Sequence, residues 1–371
     1  MPMNFAAIEI GSNAVRMIVG GLVDSCELRV LERWSAHLRL GDSVFEHGMV
    51  PENIFQQLEQ TIQGLLLESQ KFPQVKVSLS ATSAMRDAEN RDELVSRLQT
   101  MVGHPVKILS GKEESQCLLE GVRSFLPQTL FSKFPLTQTI LADLGGGSLE
   151  ISSLEPVDNS NNSRNKFLHS FDIGTLRLKE MSPVLQQLES SLNEELTQLS
   201  WLCSVNPQDS SHLILTGGNA KTFARLFTKV STKYVSDNSC KNQPENWLSM
   251  DWNEFERIEQ MFQQQSAEEQ QERWGLRTQQ TEIFNIALAV FRIIGRELGT
   301  ERISIPFFGL KESLLLSLVS DNINKSQEDI TLVLTSGPPK KFKISTSKKT
   351  KTSINKQKTE KKTNNTADLS V

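Results

Sequence analysis

Ile8-Glu9-Ile10-Gly11-Ser12-Asn13 runs into the strand-like Ala14-Val15-Arg16-Met17-Ile18-Val19 near the start of the chain. Much later, Leu141-Ala142-Asp143-Leu144-Gly145-Gly146-Gly147-Ser148 runs into Leu149-Glu150-Ile151-Ser152. In both stretches an apolar run ends at a carboxylate, a tight Gly/Ser turn comes next, and a second strand leaves. Glycine lets backbone N–H groups approach a ligand with no Cβ in the way, and converging N–H groups form an anion nest. A carboxylate beside such a nest can hold a divalent cation, usually through water. Two such hairpins face to face would clamp a phosphate chain and its metal from both sides. The acid–apolar–glycine–small polar order recurs 134 positions on, from Glu9 to Asp143, which points to a duplicated domain.

Composition sets the frame. A chain of 371 residues is long enough for two domains with proper cores. No run of about 18 apolar residues occurs, so no membrane span is expected. The N-terminus enters the first strand without a basic-then-apolar leader. Cys26, Cys117, Cys203 and Cys240 are scattered without C-x-x-C spacing, which argues against zinc and against a disulfide scaffold. The expected compartment is cytoplasmic. The net charge of −4 hides a split: ten lysines against two acids give +8 from Lys340 to Val371, leaving −12 elsewhere. The body therefore has no excess positive charge for gripping nucleic acid, and any anion must be held locally.

Strands alternating with helices in each half predict an α/β fold. Strands are expected at Phe5 to Ile10, Val15 to Gly20, Leu28 to Leu38, Val75 to Ser80, Val106 to Leu109, Thr139 to Asp143, Leu213 to Leu215 and Ile303 to Ile305. Helical stripes begin after Pro51, surround Leu94 and Leu98, start near Lys112, run from Val184 to Leu202, and cover Ile283 to Leu298. Asn159 to Asn165 and Tyr234 to Asn246 read as loops. The implied division is a first domain over residues 1–125, a second over 126–322 and a disordered Lys-rich tail over 323–371. Nothing after about Gln327 is expected to add to a core. The tail's expected use, if any, is to raise the local concentration of a long polyanion.

Ser110-Gly111-Lys112-Glu113-Glu114 opens a helix. Ser110 and Glu113 fit a capping box, which gives Glu113 a structural task. Glu114 points about 100° further round the helix, where it can face an interdomain cleft and take a proton from water. Spacing alone favours an ordinary exposed first-turn glutamate. Ala81-Thr82-Ser83-Ala84-Met85-Arg86 comes directly after a buried strand, a place where open α/β sheets build sites. Arg86 there can orient a phosphate or form a surface salt bridge. Thr216-Gly217-Gly218-Asn219 is a third Gly-rich turn, fit for a nucleotide, for more phosphate, or for helix entry alone.

Taken in order, these motifs resemble the exopolyphosphatase/guanosine pentaphosphate phosphatase family of the actin-like ATPase superfamily. The resemblance runs from about Phe5 to Leu318. It rests on Glu9 to Arg16, Arg39-Leu40-Gly41, Ala81 to Arg86 with Asn90, Ser110 to Glu114, and Asp143 to Ser148 with Glu150. Gly174-Thr175-Leu176-Arg177-Leu178, Thr216-Gly217-Gly218 and Gly309-Leu310-Lys311-Glu312 complete it. The resemblance implies two actin-like (ribonuclease H-like) domains around a cleft. It implies a Mg²⁺-dependent exopolyphosphatase acting on inorganic polyphosphate, or alternatively a phosphatase of a phosphorylated guanosine nucleotide. A homodimer is compatible with it, and a non-catalytic polyphosphate or alarmone sensor is the other class. Glu114 aligns with the general base. Ser12, Asn13, Arg86, Gly145, Gly146, Gly147 and Ser148 would bind phosphate, and Asp143, Glu9 and Glu150 would stand on the metal side. The chain departs from the family at Glu9 (usually Asp), Ala14 (usually Ser), Gln116 and Lys311 (often Arg). The first departure implies that Glu9→Asp would speed the reaction.

Overall fold

Apolar side chains on both faces of the leading strands make them buried strands of α/β sheets. The computed structural model describes residues 3–126, 139–154, 168–181, 185–197, 211–234, 247–334 and 339–342. The first sheet contains β1 (Asn4–Ile10), β2 (Val15–Leu22), β3 (Glu27–Ala36), β4 (Val75–Ala81) and β5 (Val106–Ile108), in the order β3-β2-β1-β4-β5. The second contains β6 (Thr139–Leu144), β7 (Leu149–Ser153), β8 (Leu168–Phe171), β9 (Ser211–Thr216), β10 (Trp247–Asp251) and β11 (Thr300–Pro306). Its order is β10-β11-β9-β6-β7-β8. In each sheet the first strand pairs antiparallel with the second and parallel with the fourth. β10 is an antiparallel addition on the β11 edge. Leaving it aside, the two sheets repeat one topology, as a duplication requires. This is the paired actin-like architecture expected from the sequence.

Three apolar clusters fill the molecule. One lies on the outer face of the first sheet, under the Glu52–Ser69 helix. A second lies on the outer face of the second sheet, under the Trp252–Gln263 and Thr278–Glu297 helices. The third lies between the sheets. It joins Phe5 and Ile18 of the first sheet to Leu141 and Ile214 of the second, through Leu118, Leu119 and Val122 of the Gly111–Phe125 helix and Leu315 and Val319 of the Leu310–Ile323 helix. That central layer fixes where the start of each helix points.

The chain end departs from expectation. Past Ile323, Thr331–Val333 (β12) pairs parallel with β3, and Lys340–Lys341 (β13) pairs with the same strand. Ile330 is buried, and Phe342 packs onto the outer cluster of the first sheet. The edge of β3 offers unpaired backbone groups, and even a polar segment can satisfy them. The folded region therefore reaches beyond residue 322, to Phe342 among the described residues. The helix from Gly217 also runs to Tyr234, where a loop was expected to begin. Asn159 to Asn165, Cys203, Cys240 and the lysines from Lys343 on lie outside the described residues.

Candidate active site

The two hairpins at Glu9 and Asp143 close in the same way. Gly11 donates its N–H to Ala14 O at 3.1 Å, and Gly145 donates to Ser148 O at 2.9 Å. Across the strands Glu9 stands opposite Arg16, and Asp143 opposite Glu150. The carboxylates match, but their partners differ. Arg16 Nη1 holds Glu9 Oε1 at 3.0 Å, whereas Glu150 adds a second negative group beside Asp143.

Asp143 is buried and accepts a hydrogen bond from Thr216 Oγ1 at 2.8 Å. Burial raises its carboxyl above the usual range. Glu150 accepts from Ser170 Oγ at 3.0 Å, and its Oε2 is buried with no hydrogen-bond partner among the described residues. Burial and the nearby Asp143 push its carboxyl up as well.

Glu114 comes from the other half. The capping box at Ser110 forms as expected, with Glu113 bonded back to Ser110 N–H at 2.9 Å. It sets the start of the Gly111–Phe125 helix against the second sheet. A Cβ on Gly111 would stand 2.3 Å from Ser170 Oγ, so only glycine permits that approach. Glu114 is 7% exposed and therefore not an ordinary surface glutamate. Burial, then the charge of Glu150, raises its carboxyl well above the usual range; Arg86 opposes the shift. Arg86 Nη1 lies 3.4 Å from Glu114 Oε2 and donates to Leu109 O at 2.8 Å. The site thus unites Glu114, Arg86, Asp143, Glu150 and Glu9 between the sheets.

Several residues expected to touch phosphate have other partners. Ser12 Oγ lies 2.8 Å from Ser83 Oγ and 3.3 Å from the Ala84 N–H, so its side chain ties the first loop to the start of the Ser83–Asp87 helix. A Cβ on Gly147 would stand 2.3 Å from Ser83 Oγ and 2.4 Å from the Phe45 ring. A Cβ on Gly146 would stand 3.2 Å from Ser12 Cβ. These glycines let the second loop lie on the first domain, a use the sequence motif does not distinguish from ligand approach. Arg177 strengthens that junction. It donates to Gly147 O at 3.1 Å, reaches Asp87 at 2.5 Å and stacks 4.3 Å over Phe45. Asn13 anchors the next segment through its carbonyl, which accepts from Arg39 N–H at 3.1 Å.

The expected three-carboxylate metal set is not assembled. Among the described residues no group of three or more His, Cys, Asp or Glu side chains is placed to hold a metal. Glu9 is drawn to Arg16 instead of joining Asp143 and Glu150. The remaining pair still fits a hard divalent cation. Glu150 Oε2 is buried without a hydrogen-bond partner, and the Asp143 charge adds to burial in disfavouring the Glu150 carboxylate. Mg²⁺ commonly uses only one or two carboxylates, completing its shell with water and substrate phosphates.

Solved structures share this fold. A solved exopolyphosphatase from Cytophaga hutchinsonii superimposes with TM-score 0.70 at 19% identity, covering 86% of this chain and 98% of that one. A solved Ppx/GppA family member from Aquifex aeolicus gives 0.63 at 20% identity, covering 87% and 99%. The guanosine-5'-triphosphate,3'-diphosphate pyrophosphatase of Vibrio cholerae is 24% identical over 147 residues, 40% of this chain and 28% of that protein. The chain thus aligns with little more than a quarter of that curated relative's length. The model of the Ppx/GppA phosphatase family matches residues 18–322, most of the folded chain, and the chain belongs to that family.

Proposed function

We propose that this protein is a phosphoanhydride hydrolase that releases the terminal phosphate of inorganic polyphosphate, with Glu114 as general base. The observation that carries this reading is the buried Glu114, held at 3.4 Å by Arg86 and made more basic by burial and by Glu150. A base whose pKa approaches the working pH takes a proton from water most effectively. Glu114 removes that proton as the water oxygen attacks the terminal phosphorus. The bond to the bridging oxygen breaks, and the shortened chain leaves as an anion. Backbone N–H groups of Gly146, Gly147 and Ser148 and the Asn13 amide are the proposed donors to the phosphate oxygens. Arg86 orients Glu114 and balances charge. Asp143 and Glu150 would hold Mg²⁺, which when bound supplies charge neutralisation on the phosphate oxygens.

A second reading is removal of the 5′ terminal phosphate of guanosine pentaphosphate. The Vibrio cholerae relative, by its name, favours it. Both readings need the same carboxylates. Phosphate release should be measured on long polyphosphate, tripolyphosphate and guanosine pentaphosphate, each with Mg²⁺ and with chelator. Faster release from long polyphosphate, abolished by chelator, is the expected result. Release from the nucleotide alone would select the second reading, and no release from any substrate would defeat both. Full activity in chelator would remove the proposed role of Asp143 and Glu150.

A further inference from the structure

Lys221 lies in the first turns of the Gly217–Tyr234 helix, which begins one residue after Thr216, the residue that bonds Asp143. Its ammonium has no hydrogen-bond acceptor among the described residues. The carboxylate that pairs with it among the described residues, Glu312, has its Oε2 4.0 Å away, beyond hydrogen-bond reach. Glu312 is fully buried, and its other oxygen is taken by Lys311. One carboxylate thus lies between two ammonium groups. The nearby Arg16 is spent on Glu9. Glu312 Oε2 is itself buried without a hydrogen-bond partner. Gly309 opens the helix of Lys311 and Glu312 beside the amine, its Cβ position 3.4 Å from Lys221 Nζ, an ordinary contact distance. The Lys221 side chain keeps a quarter of its surface, so the amine is reachable from the cleft. Burial and the Lys311 charge push its pKa down to about 8.

A mostly desolvated ammonium with surplus positive charge around it needs an anion. The neighbours place that anion. Lys221 feels the charges of Asp143 and Arg16, while Glu114 feels those of Glu150, Arg86, Asp143 and Glu9. Asp143 is common to both. Thr216 Oγ1 bonds Asp143 at 2.8 Å, and a Cβ on Gly217, at the start of the helix that carries Lys221, would stand 2.9 Å from Asp143 Oδ1, so Asp143 links the acids around Glu114 to the cationic pair Lys221 and Lys311. We propose that Lys221 is a substrate-binding residue that holds non-bridging oxygens of a phosphate behind the one attacked, so that the phosphate chain runs from Glu114 past Asp143 to the Lys311–Glu312 pair. This assignment rests on the phosphohydrolase reading and extends it to a second phosphate subsite.

The test is equilibrium binding by calorimetry in chelator, where turnover is not expected. Tripolyphosphate and guanosine 5′-triphosphate are the probes, and the full chain is compared with Lys221→Met, Lys221→Arg and Glu114→Gln. Lys221→Met should weaken binding about ten- to a hundredfold, as loss of a charge-assisted hydrogen bond does. Lys221→Arg should restore much of it, and Glu114→Gln, which removes one acid from the site, should bind no more weakly than wild type. With activity restored by Mg²⁺, Lys221→Met should raise KM more than it lowers kcat. Loss with tripolyphosphate assigns Lys221 to an inorganic chain; loss with the nucleotide alone assigns it to the nucleotide's phosphates. Unchanged affinity for both probes in a Lys221→Met variant that melts like wild type overturns the proposal alone. Absence of binding by the wild-type chain in chelator and by Glu114→Gln with Mg²⁺ overturns it together with the phosphohydrolase reading. If Lys221→Met does not fold, Lys221→Gln takes its place, and unchanged affinity there would equally overturn the proposal.

Discussion

Glu113 accepts from the backbone and hydroxyl of Ser110 and pairs with Lys107 at 2.9 Å, and these donors hold its carboxyl down to about 2. Glu114, the next residue, is buried beside other acids and is pushed the opposite way. A helical rotation of about 100° separates the two environments. Glu114→Gln should therefore lower turnover by about 10²- to 10⁴-fold with little change in melting. Glu113→Gln should cost on the order of 1 kcal/mol of stability through the cap. Activity lost on Glu113→Gln at unchanged stability would reverse the roles. The structure also revises the expectation for Glu9. Its carboxylate sits 3.0 Å from Arg16, beneath the Gly11 turn. Asp would retract by one methylene and leave that guanidinium partly buried without its partner. Glu9→Asp should thus slow phosphate release, by up to about 10²-fold if the nearby carboxylates shift by an ångström. Release faster than wild type would mean that Arg16 is not what sets the position of Glu9.

At the scale of elements, the second loop is held by contacts that close-packed glycines allow. Gly147→Ala would push a methyl group into Ser83 Oγ and the Phe45 ring. Overpacking of this kind costs about 1–3 kcal/mol, and here the strain falls on the junction of the two loops. The expected outcome is a large loss of phosphate release with a modest fall in melting temperature. Wild-type activity in Gly147→Ala would show that the loops need not touch during turnover. The same glycine shows what sequence could convey. The acid–glycine hairpins were legible because their spacing repeats, and the buried strands because apolar runs mark them. Glu114 was legible only through the resemblance, since its burial depends on a sheet contributed by the other half of the chain. The Glu9–Arg16 pair was hidden because it depends on register across a hairpin. The short β10 strand was missed because five residues on an edge carry little pattern, and Lys221 because its place beside Glu312 and Asp143 is a property of space.

For the whole molecule, the segment beyond Ile323 matters because it binds the opening sheet to the chain's end. β12 extends β3 in parallel, Ile330 is 2% exposed in the layer between the sheets, and Thr331 N–H bonds Cys26 O at 2.7 Å. Phe342 lies against Gly64, where any Cβ would strike its ring. Composition suggested that this segment could not fold, since lysine, serine and threonine dominate the chain from Gly337 onward. A few apolar side chains suffice when a sheet edge already supplies the hydrogen-bonding template. Burying one such isoleucine contributes about 1.5–3 kcal/mol. A chain ending at Ser326 should therefore melt several degrees below one ending at Phe342, while both keep the active-site carboxylates. The comparison to make is thermal melting of the two truncations alongside phosphate release at a temperature where both are folded. Equal melting would mean that β12 and Phe342 merely rest on the sheet. A lower melting temperature with unchanged release would separate the stabilising end of the chain from the chemistry between the sheets.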